Sequence, residues 1–157
     1  MPYLHLDLPL AVQAGDRARI AGRLARLYAE VMETDPRRPT VGFRELGEHG
    51  VLRLGVDGEV EPVVLIQCDI RRGRSAEQRE RLGAAIAAVL DQELSWPPSH
   101  TIVEFTQHAG DEFWRADGLS QDWTPGESGD ARPAGSRRWE DSPEGSPSRA
   151  ERVKRKG

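Results

Sequence analysis

Residues 63–82, VVLIQCDIRRGRSAEQRERL, decide the fold. The run Val63–Ile70 is apolar, of strand length and bounded by charge. Ser75 with Gln78 three residues on is a capping-box signature. Behind it Leu82, Ile86, Val89 and Leu90 return to one helical face. A strand and a helix therefore meet at RRGRS, Arg71–Ser75. The stretch WPPSH, 96–100, ends the helix, and TIVEFTQ, 101–107, reads as a closing strand.

The same order occurs earlier in the chain. YLHLDL, 3–8, alternates and reads as a strand. From Asp16 a helix follows, with Ile20, Leu24, Leu27 and Val31 on one face. PRRP, 36–39, breaks it, and TVGFREL, 40–46, reads as the next strand. Ile20 and Leu82, Val41 and Val103, and Phe43 and Phe105 are each 62 residues apart. On that offset Pro2 corresponds to Val64. The pattern is a β-α-β unit used twice, over about 2–47 and 62–115. The connector GEHGVLRLGVDGEVEP, 47–62, carries a VDG turn and a short edge hairpin.

Each unit makes a right-handed crossover with parallel strands. The expected fold class is α+β: a two-layer, four-stranded mixed sheet with two helices on one face. Leu4, Leu6 and Leu8 match Ile66, Cys68 and Ile70, a row suited to lie beneath the helices. Tyr3, His5 and Asp7 match Leu65, Gln67 and Asp69, a half-polar row that must meet water or another subunit, which predicts a homo-oligomer.

Composition narrows the function class. A net charge of -4 gives no basic field for nucleic acid. The single cysteine, Cys68, sits in an apolar strand and reads as a small buried side chain, so no intrachain disulfide is expected. The amino-terminal stretch lacks the pattern of a signal peptide, and no run reaches membrane-spanning length. A cytoplasmic protein without membrane association is expected. After Trp123, residues 124–157 are rich in Pro, Gly, Ser and charge and poor in aliphatics, the composition of a disordered tail. The folded domain is expected over 1–123.

Two features could carry chemistry. Pro2 follows Met1 directly. Removal of Met1 would expose a secondary amine, and an α-amino group ordinarily titrates at about 7.7–8.0. Burial or neighbouring cations lower that value and leave a neutral general base. Equally, proline can simply start a strand, where its missing N–H costs no ladder bond. The second feature is RRGRS at the strand–helix junction. Backbone N–H groups at a helix start attract anions, and arginine adds bidentate carboxylate recognition; a solvated charge cluster beside a capped helix has the same composition. An antiparallel pairing of the two first strands brings Pro2 toward Arg71–Arg74. A base beside a carboxylate clamp suffices to move protons on a small acid.

GRSAEQR, 73–79, resembles the helix start of 4-oxalocrotonate tautomerase. IRRGRSAE, 70–77, is similar to the HREGRSAD stretch of cis-3-chloroacrylic acid dehalogenase. With Pro2 and the duplicated unit, the chain over roughly 2–115 resembles the tautomerase superfamily. That resemblance implies a cofactor-independent enzyme and a trimer. It makes Pro2 the general base, and Arg71 and Arg74 the groups that bind the substrate carboxylate. It assigns Arg72 no role. Where the dehalogenases have a histidine late in the first helix, this chain has Tyr28. Their last-strand tyrosine falls near Glu104, and their water-activating carboxylate region reads EFWRADG, with Glu112 close by. Phe113 and Trp114 follow the last strand, where the family lines its pocket with aromatics. Tyr28, Glu104, Glu112, Phe113 and Trp114 are thus accessory candidates. His5, His49, His100 and His108 lack metal-ligand spacing, so no metal site is expected.

The expected function is keto–enol proton transfer on a small unsaturated or 2-oxo carboxylate. The alternatives are a hydratase or dehalogenase of an unsaturated acid, and a non-catalytic binding protein of the same fold.

Overall fold

Strand β1 (Tyr3–Leu8) is followed by helix α1 (Ala14–Val31) and strand β2 (Thr40–Glu45). A short ribbon of β3 (Leu52–Leu54) and β4 (Val60–Pro62) comes next, then β5 (Val64–Arg71), α2 (Ala76–Leu94) and β6 (Thr101–His108). Two-residue strands β7 (Trp114–Arg115) and β8 (Gly118–Leu119) close the order. The structure, a computed structural model, describes residues 2–115 and 118–126. Of the tail expected at 124–157, all but Thr124–Gly126 lies outside the described residues.

The main sheet runs β2-β1-β5-β6. β1 pairs parallel with β2, and β5 parallel with β6, while β1 and β5 are antiparallel. The duplication is kept to the residue. Leu4 faces Val41 and Ile66 faces Val103, so both parallel pairs share one register. Across the centre, His5 pairs with Gln67, its own equivalent 62 residues on. The pseudo-two-fold axis therefore passes between His5 and Gln67.

The core forms where the two apolar rows meet the helices. Leu4, Leu6, Leu8, Ile66, Cys68 and Ile70 have no exposed surface, and neither do Ile20, Leu24, Leu82, Ile86 and Leu90. Burying one such aliphatic side chain contributes about 1.5–3 kcal/mol. Burial pushes the Cys68 thiol up to about 12, so it is an inert packing group.

Helix α1 departs from its expectation in two ways. It starts at Ala14, before Asp16, because Asp16 lies in the first turn, paired with Arg19, and does not cap it. Its buried stripe runs Ile20, Leu24, Tyr28, Met32, while Leu27 and Val31 are only partly buried. The stripe is rotated because α1 packs on both the sheet and α2. The expected edge hairpin exists as β3–β4, but it pairs only with itself and extends no edge of the main sheet.

Helix α2 starts as its sequence dictates. Ser75 Oγ accepts a bond from Gln78 N at 3.1 Å, and Gln78 Oε1 accepts one from Ser75 N at 3.0 Å. Ser75→Ala should therefore cost about 0.5–2 kcal/mol. Urea unfolding checks this, with the midpoint falling and the denaturant slope unchanged. Among the described residues no helix is long and apolar enough to cross a membrane.

Candidate active site

The site is built at one end of the central strand pair. Pro2 is buried, and its carbonyl accepts a bond from Thr40 N at 2.9 Å. Tyr3 pairs with Asp69 in the antiparallel ladder. One step further in that register sets Pro2 beside Ile70, next to Arg71. The pairing expected from the repeat is thus the pairing present.

Arg71 ends β5. The chain then turns sharply at Gly73, whose φ of +101° suits glycine and strains other residues. Arg74 follows, and Ser75 starts α2. Both arginines are buried, Arg71 to 5% exposure and Arg74 to 4%. Long cationic side chains are rarely so enclosed on a free chain, which marks these two as held in place. Arg71 Nη1 donates to the Gln121 carbonyl at 2.8 Å. The Arg74 guanidinium lies over the Trp123 ring, 3.8 Å from its centroid. Arg79 fixes the loop from behind, Nη1 donating to the Arg74 carbonyl at 2.7 Å.

Tyr28 lies under this loop. It has no exposed surface, and its hydroxyl makes no hydrogen bond among the described residues. Burial holds the phenol well above its ordinary pKa, and the nearby positive charges of Arg74 and Arg71 offset this only in part. It stays a neutral O–H, a potential donor beside two cations.

On β6, His108 pairs with Arg71. Its Nε2 lies 3.3 Å from Asp69 Oδ1 and its Nδ1 3.2 Å from Glu112 Oε2. Glu112 is tied back by Ala109 N at 3.0 Å, and Phe113 packs edge-on against the imidazole at 5.2 Å. Pro2, Arg71, Arg74, Tyr28, Glu112 and Phe113 therefore gather at one end of the sheet. Glu104 does not join them: it is exposed opposite Gln67. That is four residues from His108 along β6, about 13 Å. Trp114 is 72% exposed on β7 and turned to the surface.

Three groups here were not among the sequence candidates: His108 with Asp69, Gln121 and Trp123. The shared register could have found His108, since the offset pairing Ile66 with Val103 also pairs Arg71 with His108. Nothing local marked Gln121 or Trp123. The remaining histidines stay apart from the site: His5 lies 3.6 Å from Asp7, His100 3.4 Å from Glu61, and His49 is exposed. Among the described residues no cluster of three or more His, Cys, Asp or Glu could hold a metal ion.

No protein-family model matches the sequence, and no curated protein matches it. Solved structures do match the fold. N1, a member of the cis-3-chloroacrylic acid dehalogenase family, is 24% identical, aligned over 76% of this chain and 84% of its own, at a TM-score of 0.66. R7 fused 4-OT, solved as an asymmetric trimer, is 18% identical over 74% of this chain and 94% of its own, at 0.63. Pt0534, inactivated by 2-oxo-3-pentynoate, is 20% identical over 75% and 94%, at 0.63. The duplicated β-α-β unit, its sheet order and these likenesses agree: this chain has the fold of the tautomerase superfamily.

Proposed function

We propose that this protein is a cofactor-independent tautomerase acting on a small unsaturated or 2-oxo carboxylate, with Pro2 as general base. The observation that carries the reading is the β1–β5 register, which sets buried Pro2 beside Ile70 and so next to Arg71. With Met1 removed, Pro2 bears a secondary amine in a desolvated, cation-rich setting. Both conditions favour the neutral base. The amine takes the enol hydroxyl proton and returns it to carbon, giving the ketone and restoring the amine. Arg71 and Arg74 hold the carboxylate and stabilise the negative charge that develops on the enolate oxygen. One structural neighbour is inactivated by 2-oxo-3-pentynoate, itself a small unsaturated 2-oxo carboxylate, which supports this substrate class. The test is turnover of phenylenolpyruvate by wild type against Pro2→Ala, together with a mass spectrum of the amino terminus. Retention of Met1 would exclude the amine as base and favour the binding-protein reading.

A second reading, addition of water to an unsaturated acid, is favoured by Glu112 held against His108 beside the arginines. Halide release from 3-chloroacrylate would support it. No release over long incubation would remove it.

The working form proposed is a homotrimer, as the fused 4-OT neighbour's assembly suggests. Leu54 and Val60 on the β3–β4 ribbon are 70% and 61% exposed, and Gln67, Ile102 and Glu104 are exposed on the sheet face opposite the helices. Light scattering should give three times the chain mass.

A further inference from the structure

The segment Ser120–Trp123 lies as a strap across the two arginines, and glycine makes the room for it. A β-carbon on Gly73 would come within 2.5 Å of the Trp123 carbonyl, and one on Gly110 within 1.8 Å of Gln121 backbone. Four bonds hold the strap along its length. Ser120 N donates to Phe113 O at 2.9 Å, and Gly110 N to Asp122 Oδ1 at 2.6 Å. Arg71 donates to Gln121 O as described, and Trp123 N donates to Arg72 O at 3.2 Å. The strap is thus pinned at both ends and on both sides of the arginine loop.

Trp123 ends this strap, 6% exposed. Its indole Nε1–H is buried without a hydrogen-bond partner among the described residues. The polar edge of the ring is therefore not what anchors it; its face is used, against Arg74. Stacking engages the face of a guanidinium and leaves its N–H groups, which lie in its own plane, to donate sideways. A carboxylate needs that edge presented in one orientation.

We infer that Trp123 is a positioning residue of the anion site, setting the plane of Arg74 for bidentate recognition of the substrate carboxylate. The inference rests on Arg74 being that clamp. It adds a residue outside the duplicated unit, supplied by the segment after β8.

The test measures equilibrium binding of phenylpyruvate, the keto form, by calorimetry, and turnover of phenylenolpyruvate alongside it. Trp123→Leu removes the aromatic face and keeps a smaller apolar side chain in its place. It should weaken binding about 3- to 30-fold, the span of a desolvated cation–π contact. KM should rise by the same factor with kcat nearly unchanged. Trp123→Phe keeps a face and should stay within about threefold of wild type. Gly110→Ala displaces the strap from outside with Trp123 intact, and should weaken binding in the same direction. In an Arg74→Ala background, Trp123→Leu should add nothing, because its effect passes through Arg74. A folded Trp123→Leu variant that binds within twofold of wild type would overturn the inference. So would a Phe variant as weak as the Leu variant, which keeps the inference open to refutation even if the Leu variant does not fold. Binding by wild type without enol turnover would leave the Trp123 result standing while refuting the tautomerase chemistry. No binding by wild type would refute the clamp itself.

Discussion

Extending the chain by two residues ahead of Pro2, so that its nitrogen becomes an amide, should lower kcat on phenylenolpyruvate by about 10²–10⁴-fold. That is the range a positioned general base contributes. The extension is the sharper of two tests because Pro2 itself stays where it is, with its carbonyl on Thr40 N. Only the lone pair is lost. Pro2→Ala should fall less far, since cleavage after Met1 would leave a primary amine at the same place. The two variants together separate the chemical role from a structural one. A proline needed only to start β1 would tolerate the extension and suffer from the alanine. A proline acting as base gives the opposite order. The pH profile has a definite sign: the base is the deprotonated amine, so kcat/KM should rise with pH and level off once the amine is neutral. The blocked chain should lose that limb. Equal rates for wild type and blocked chain at every pH would sink the mechanism.

The duplicated unit was legible because packing repeats. An equivalent core position in each half must carry an apolar residue, so Ile20 and Leu82, or Phe43 and Phe105, keep step across 62 residues. The capping box was legible because Ser75 and Gln78 satisfy backbone groups three residues apart, which is local chemistry. From these two signals the sheet order and the antiparallel pairing of β1 with β5 followed. The strap was not legible. Its contacts join Trp123 to Arg74 and Gln121 to Gly110, residues with no periodic relation and no paired secondary structure. Trp123 stood out only as the last aromatic before a polar segment, which predicts a domain edge and not a lid on the arginines. The rotated stripe of α1 was missed for a related reason. Leu27 and Val31 satisfy the helical period as well as Tyr28 and Met32 do, and only the position of α2 decides which pair is covered. Tyr28 illustrates the cost: its hydroxyl goes into the core beside cations, a placement that apolar periodicity does not foresee.

Arg74→Ala should lower kcat/KM on the same substrate by about 30- to 5,000-fold, mostly through KM. Truncating one member of a buried, hydrogen-bonded charge pair costs about 2–5 kcal/mol, and the substrate carboxylate would be the other member. Unfolding free energy should fall by at least the lost Trp123 stack, about 0.5–2 kcal/mol. A merely structural Arg74 would lose unfolding free energy with no matching loss of phenylpyruvate affinity. Arg74→Lys should rescue charge but not affinity, since an ammonium offers no planar fork to a carboxylate and stacks poorly on an indole. Guanidinium added at millimolar concentration should restore part of the activity of Arg74→Ala and none of that of Arg74→Lys, whose side chain fills the space. If the alanine variant binds phenylpyruvate as tightly as wild type, the carboxylate is held elsewhere, and Arg71 alone on β5 would have to carry the clamp.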